Sequence, residues 1–200
     1  MAPPAAAAAR RFRSIPAWPA SAPPASPAFS RARAILAYDE ESRAAILALK
    51  HADRLELAPD FARWLGRAGR PLLDGCDMVL PVPLNASRLR RRRYNQSAEL
   101  ARRLAANWGK DYDPLALVRS RRTDSQGAMP SARVRRRNVL SAFRVPDPAR
   151  VKGRKLLLVD DVLTTGATAE ACSRALRRAG AADIAVLTLA RVVKASEALI

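Results

Sequence analysis

Cysteine and histidine are nearly absent from this chain of 200 residues, which has two cysteines and one histidine. Cys76, Cys172 and His51 cannot supply the four ligands of a structural zinc site, and two isolated cysteines cannot build a disulfide scaffold. The chain also lacks any apolar run of the ~20 residues that a membrane-spanning helix needs. We therefore expect no zinc and no membrane span, and we predict a cytoplasmic protein.

Acidic residues are scarce as well, because 18 Asp and Glu stand against 36 Lys and Arg. The net charge of +18 favours anionic partners such as phosphorylated metabolites, nucleic acid or acidic lipid. The excess is concentrated between Arg88 and Arg137, where 15 basic residues accompany 4 acidic ones. Arginine binds phosphate groups through paired, directed hydrogen bonds, so this region is a candidate anion-binding segment.

The first 30 residues differ in composition from the rest, since they include 11 Ala and 7 Pro. Proline removes backbone donors and interrupts helices, so a stretch this rich in it does not build a packed element. The composition predicts a disordered tail over residues 1–34 and one folded domain over residues 35–200. The hydrophobic content of 49% is sufficient for the core of such a domain.

Helix-like and strand-like patterns alternate along the rest of the chain. The apolar spacing predicts helices at residues 38–50, 55–68, 95–108 and 168–179, with Gly69 as the stop of the second. Short apolar runs predict strands at residues 78–82, 115–118, 156–159 and 184–189. Residues 119–138 are polar and aperiodic, which indicates a long mobile loop. This alternation is typical of an α/β domain with a mainly parallel sheet flanked by helices.

The residues with the clearest chemical role are Leu156–Thr168. A buried strand there ends in Asp160 and Asp161, and the hydroxyl-rich turn Thr164–Thr168 leads directly into a helix. Ligands of open α/β sheets bind at this edge, and a helix N-terminus with exposed N–H groups favours phosphate. The acids could equally cap a turn, but adjacent carboxylates that end an apolar strand need polar partners. The pattern therefore favours a site that binds a phosphate and a polyol side by side.

This run resembles the phosphoribosyl pyrophosphate (PRPP) signature of the type I phosphoribosyltransferases at all thirteen positions. The resemblance implies the type I phosphoribosyltransferase fold, with Asp160 and Asp161 as the catalytic acids that hold the ribose hydroxyls. It also implies a Mg²⁺ ion that is bound together with PRPP. Asp160 and Asp161 are the candidate protein contacts of that ion. The implied phosphate-binding residues are Leu163, Thr164, Thr165, Gly166, Ala167 and Thr168.

Residues 81–98 and 123–143, taken with the acid-pair strand, resemble the ComF family, the competence-associated branch of these transferases. The resemblance covers about residues 35–193. It implies a pyrophosphate-binding set of Pro83, Leu84, Arg88, Arg92, Asn95 and Gln96, and flexible-loop residues Gln126, Arg133, Arg137 and Asn138. ComF proteins often carry a zinc ribbon ahead of this region, whereas this chain has no cysteine before Cys76.

Two functions remain open at this stage. The first is transfer of a phosphoribosyl group from PRPP to an unknown acceptor, most simply a nitrogenous base, in connection with DNA uptake. The second is binding of nucleotides or single-stranded DNA by a non-catalytic relative, because the charge suits a phosphate backbone. In that case competence proteins are the expected partners. The chain contains neither a P-loop nor a Gly-x-Gly-x-x-Gly dinucleotide motif, so those classes are excluded.

Overall fold

The fold is organised around a parallel sheet. A computed structural model describes residues 27–50, 52–85, 89–90, 93–119 and 142–192. The strands of this sheet are β1 (Arg31–Ala37), β2 (Met78–Pro81), β3 (Asp111–Tyr112), β6 (Lys155–Leu163) and β7 (Asp183–Arg191), and a separate antiparallel pair is formed by β4 (Val118–Arg119) and β5 (Phe143–Arg144). The order across the sheet is β1-β7-β6-β2-β3, with every neighbouring pair parallel.

Helices cover both faces of this sheet. They are α1 (Glu40–Lys50), α2 (Ala58–Asp74), α3 (Gln96–Trp108) and α4 (Ala167–Arg178), with 3₁₀ turns at Ala52–Leu57 and Pro148–Arg150. The first three pack on one face and α4 packs on the other, together with β4 and β5. None of the helices in the described residues is both long and apolar enough to cross a membrane.

The central strand β6 contributes to the core on both faces. Leu156 and Leu158 belong to the apolar cluster under α4, while Leu157 and Val159 belong to the cluster under α2 and α3. All four side chains are almost completely buried, and each such burial stabilises the fold by roughly 2 kcal/mol. A strand covered on both faces reads as a continuous apolar run, which is why the sequence predicts it well. The α/β class and the mainly parallel sheet are confirmed.

The first strand extends across the boundary predicted between residues 34 and 35. β1 begins at Arg31 and pairs with β7, and Phe29 just before it is buried. Residues 27–34 therefore belong to the folded domain, because the apolar residues of this edge strand are needed to cover β7. Residues 1–26 lie outside the described part of the chain, and so does most of the loop predicted at 119–138.

Several predicted boundaries are wrong, including the end of the strand predicted at 156–159, which continues to Leu163. Helix α2 does not stop at Gly69 but continues through Pro71 to Asp74. A side-chain Cβ at Gly69 would lie 2.5 Å from a methyl carbon of Leu187, so this glycine permits close packing of α2 on β7 rather than ending the helix. The strand predicted at 115–118 is also misplaced, because Leu115 lies in an exposed turn and the strand β4 begins only at Val118.

Candidate functional site

The candidate site lies where β6 extends past its neighbour β2. The last paired residue of β2 is Pro81, opposite Val159, and the Val82 N–H still donates to the Val159 carbonyl at 2.9 Å. β6 continues for four more residues, paired only with β7 on its other side. The first two of these are Asp160 and Asp161. The polar chemistry predicted at the sheet edge therefore follows directly from unequal strand lengths.

The first turn of α3 occupies the edge that β2 leaves open. Asn95 is the N-cap of this helix, and its side-chain oxygen accepts from the Ser97 N–H at 3.0 Å. The Asn95 amide nitrogen donates to the Val82 carbonyl at 3.0 Å, which fixes the start of the helix to the end of β2. One side chain thus determines both where α3 begins and where its first turn lies relative to β6.

Both carboxylates of the acid pair bond that turn. The Ser97 hydroxyl donates to Asp160 Oδ1 at 3.0 Å, and the Gln96 amide nitrogen donates to Asp161 Oδ2 at 2.6 Å. The Asp161 N–H also donates to Asp160 Oδ1 at 2.9 Å, while the Val162 N–H donates to Asp161 Oδ1 at 2.6 Å. Asp161 is 7% exposed and Asp160 is half-buried. The acids are therefore held within a strand and do not cap a turn.

The predicted phosphate turn follows the acid pair at once. Gly166 has a backbone φ of 75°, a left-handed conformation that glycine adopts without strain, and α4 begins at the next residue. The first helical hydrogen bond runs from the Glu170 N–H to the Gly166 carbonyl at 2.9 Å. Thr164 and Thr165 are exposed, and the Thr165 hydroxyl accepts from the Ala167 N–H at 3.4 Å. Exposed hydroxyls at a helix N-terminus are the chemistry that binds a phosphate group.

The other predicted site residues lie after β2, at the end of β6, at the start of α3, or outside the described part of the chain. Pro83 and Leu84 follow β2 and are half-exposed, whereas Leu163 is buried. Gln96 is brought to the acid pair, where it donates to Asp161, whereas Asn95 donates to the Val82 carbonyl at the end of β2. The remaining predicted residues lie outside the described part of the chain, namely Arg88, Arg92, Gln126, Arg133, Arg137 and Asn138.

Two contacts near the site were not predicted, one of Ser97 and one of Arg119, which the sequence placed at the start of the loop predicted at 119–138. Ser97 carried no signal beyond its place in a helical pattern, because its partner Asp160 is 63 residues away in sequence. Arg119, in β4, places its guanidinium 5.3 Å from the centre of the Phe143 ring, which binds the two short strands together. A single arginine after an apolar stretch gives no indication of such a contact.

The pKa of the Cys172 thiol is affected by the charges of both Asp160 and Arg119. Burial raises the pKa of the Cys172 thiol well above its usual value, the charge of Asp160 raises the pKa further, and the charge of Arg119 opposes that rise. The thiol is fully buried. It therefore stays protonated and behaves as a small apolar side chain.

The donor set fits a magnesium ion that arrives with its ligand. Among the described residues, no group of three or more His, Cys, Asp or Glu side chains is arranged to hold a metal. The two adjacent aspartates supply oxygen atoms, which Mg²⁺ prefers, but too few to enclose it. Mg²⁺ typically keeps several waters and takes further ligands from substrate phosphates, so the pair suits that mode of binding.

Comparison with known proteins identifies the class. A family model described as the phosphoribosyl transferase domain matches residues 82–198, more than half of the chain. The chain therefore belongs to the phosphoribosyltransferase-domain family, and its parallel sheet is the fold of the type I enzymes. Its similarity to proteins named DNA utilization protein YhgH and Competence protein F is consistent with the resemblance to the ComF family.

Three relatives illustrate this placement. DNA utilization protein YhgH of Escherichia coli is 41% identical over 117 residues, which are 58% of this chain and 50% of that protein. The protein of the same name in Salmonella typhi is 38% identical over 153 residues, covering 72% of this chain and 65% of that one. Competence protein F of Haemophilus influenzae is 37% identical over 118 residues, 58% of this chain and 50% of that protein. The chain thus spans between half and two thirds of the length of these relatives.

Proposed function

We propose that this domain binds Mg²⁺–PRPP and transfers its phosphoribosyl group to a nitrogen nucleophile, most simply a nucleobase. The observation that carries this proposal is the ordered acid pair, Asp160 and Asp161, placed immediately before an exposed turn at the N-terminus of α4. Ribose hydroxyls and a 5′-phosphate are likewise carried together on one small molecule. The family to which the chain belongs supports the same assignment.

In this proposal each part of the site has a separate task. The turn Thr164–Thr168 holds the 5′-phosphate through hydroxyls and backbone N–H groups, and the acid pair accepts hydrogen bonds from the ribose hydroxyls. The bond between the anomeric carbon and pyrophosphate breaks with its electron pair leaving on pyrophosphate, and the acceptor nitrogen forms a new bond to the same carbon. The proton lost from that nitrogen is released to the solvent. The carboxylates lie close to the ring, where positive charge develops, and they stabilise that charge. A bound Mg²⁺ would supply neutralisation of the departing pyrophosphate.

The basic residues between Arg88 and Arg137 suit the leaving group. Arginine forms paired hydrogen bonds with phosphate oxygens, and pyrophosphate is densely charged. We propose that Arg88 and Arg92 contact the pyrophosphate. A role for the loop residues in closing over the ligand stays a prediction, because they lie outside the described residues.

A second candidate is binding of single-stranded DNA without transfer. The net charge of +18 favours it, and relatives of this chain are named DNA utilization protein. In that case competence proteins are the proposed partners and the cytoplasm the proposed location. Such binding would be weakly selective for sequence and strongly dependent on salt, with a slope of roughly 0.7 per phosphate contact for single strands.

The first test compares the two candidates by calorimetric titration with Mg²⁺–PRPP and by fluorescence anisotropy with labelled single-stranded DNA. We expect the double change Asp160→Asn with Asp161→Asn to abolish measurable PRPP binding while the domain stays folded, because the acids hold a ligand. The matched control is Asp60→Asn with Asp74→Asn, which alters the net charge equally at exposed ion pairs on α2. Unchanged PRPP affinity in the acid-pair variant, or DNA binding alone in the wild type, would contradict the proposal.

A further inference from the structure

Two nearly buried polar side chains at the start of α3 bond the acid pair, and neither role follows from the family resemblance. We propose that Gln96 and Ser97 are positioning residues that hold Asp161 and Asp160 in the orientations in which the pair receives ribose hydroxyls. They act through the acids and not on the pyrophosphate, which corrects the part expected of Gln96. The inference rests on the proposed function and assigns the residues that prepare its site.

The first argument is geometric. Neighbouring side chains of a strand point to opposite faces of the sheet, so Asp160 and Asp161 would ordinarily diverge. One turn of α3 nevertheless supplies a hydrogen bond to each of them, the Ser97 hydroxyl to Asp160 and the Gln96 amide to Asp161. This is possible because β2 ends opposite Val159 and leaves the edge of β6 open beyond it. The turn therefore draws two diverging carboxylates towards a common edge.

The second argument is burial. Gln96 is 2% exposed and Ser97 is 1% exposed, so neither side chain is placed at the surface to meet a ligand directly. The Gln96 side-chain oxygen has no hydrogen-bond partner among the described residues, although its nitrogen is bonded to Asp161. A buried amide with one unsatisfied atom is unfavourable for stability compared with an apolar side chain of similar volume. Its bond to a carboxylate of the site gives a functional reason for its presence.

The third argument is charge. Two adjacent carboxylates repel each other, and hydrogen bonds from neutral donors stabilise each of them in its charged form. Neutral donors hold a carboxylate without cancelling its charge, and the positive end of the α3 dipole further favours anions beside the first turn. The N-terminus of α3, with Gln96 and Ser97 in its first turn, therefore suits a pair of carboxylates that must stay ionised.

The test uses the full chain and two probes that separate the parts of PRPP. Ribose 5-phosphate carries the hydroxyls and the phosphate but no pyrophosphate, whereas Mg²⁺–pyrophosphate carries only the leaving group. We expect Ser97→Ala and Gln96→Leu each to weaken binding of ribose 5-phosphate about ten-fold, the loss of a hydrogen bond to a charged group, and to leave binding of Mg²⁺–pyrophosphate within two-fold of the wild type. Ser97→Thr keeps the hydroxyl and should restore the affinity.

The matched control is Ser173→Ala on α4. Ser173 is fully buried, like Ser97, but its hydroxyl has no hydrogen-bond partner among the described residues, so the same chemical change should leave both affinities unaltered. An equal loss of affinity for both probes in Gln96→Leu would place Gln96 on the pyrophosphate and overturn the inference. Unchanged binding of ribose 5-phosphate in both Ser97→Ala and Gln96→Leu would also overturn it. If Gln96→Leu does not fold, the nearly isosteric Ser97→Ala decides alone. Failure of the wild type to bind PRPP or ribose 5-phosphate would instead overturn the proposed function.

Discussion

Arg93 has a backbone φ of 65°, in the left-handed region that residues with a Cβ rarely adopt. It lies two residues before Asn95, the cap that begins α3, so the bend at this position sets the entry into the site. Its backbone N–H donates to the Leu89 carbonyl at 2.7 Å, which keeps the bend closed. Strain of this kind is found where the surrounding structure determines one conformation.

Replacing Arg93 with glycine should therefore stabilise the domain. Glycine adopts a positive φ without steric cost, but it increases the conformational entropy of the unfolded chain. We therefore expect the free energy of unfolding, measured by urea denaturation, to rise by about 0.5–1 kcal/mol. Arg67→Gly in the exposed middle of α2 makes the same chemical change in regular helix and should instead cost about 1 kcal/mol. Equal losses in both variants would show that the bend at Arg93 carries no strain.

Gly69 gives a second prediction at the level of one side chain. Gly69→Ala should destabilise the domain by about 1–3 kcal/mol despite the better helix propensity of alanine, because its Cβ would overlap a methyl group of the fully buried Leu187. In a Leu187→Ala background the same change should cost much less, and a double-mutant cycle measures that coupling. Strict additivity would indicate that α2 and β7 are not in close contact here.

Among the elements, α3 carries a charged cluster one turn after the site. Arg103 Nε donates to Glu99 Oε1 at 2.6 Å and Arg102 donates to the same oxygen at 3.0 Å. Burial raises the pKa of Glu99, but the hydrogen bonds and charges of the two arginines outweigh it and lower the pKa below its usual value. Glu99 thus holds its charge more readily in the folded state than in the unfolded one.

The sign of the resulting pH dependence follows directly. A lowered folded pKa contributes stability above the unfolded value of about 4.3, and this is lost as the pH falls through the folded pKa. We expect Glu99→Gln to reduce the free energy of unfolding by roughly 0.5 kcal/mol at about pH 7 and to have a smaller effect at about pH 3. Urea titrations at both pH values measure the difference. A loss that is the same at both would come from packing.

The elements also show how far the sequence determines the fold. α4 was predicted to within one residue at each end, because a helix after a glycine turn has a strong local pattern. For β6 only the apolar run 156–159 was predicted, and the strand continues to Leu163 because its pairing with β7 continues. β3 and β5 were not predicted, since strands of two residues form only where a neighbouring strand accepts them. At the site, the acid pair and the turn could be read from one contiguous stretch. The bonds from Ser97 to Asp160 and from Gln96 to Asp161 could not be read from the sequence, because they join residues that are 63 and 65 positions apart.

At the scale of the whole molecule, ligand binding should appear as stability. Mg²⁺–PRPP at 100 times its dissociation constant should add ~2.7 kcal/mol to the free energy of unfolding, because it binds only the folded site. For a domain of this size, this corresponds to a rise in Tm of roughly 5–10 °C by thermal denaturation. The variant with Asp160→Asn and Asp161→Asn serves as the control and should show no rise. An unchanged Tm for the wild type at saturating PRPP would count against the proposed site.

The order of strands has a consequence for how the chain is made. Among the strands of the described residues, β1 pairs with β7 alone, and the register joins Arg31 to Ala185, so 154 positions separate the partners. A ribosome adds about 5–20 residues per second, so β1 leaves it roughly 8–30 s before its partner exists. The central strand β6 is also made late. A nascent chain therefore carries the unpaired edge of β1 for most of its synthesis and one unpaired edge of β2 until β6 is made. Rapid burial under α1 and α2, or binding by chaperones, would protect these edges from pairing with another chain.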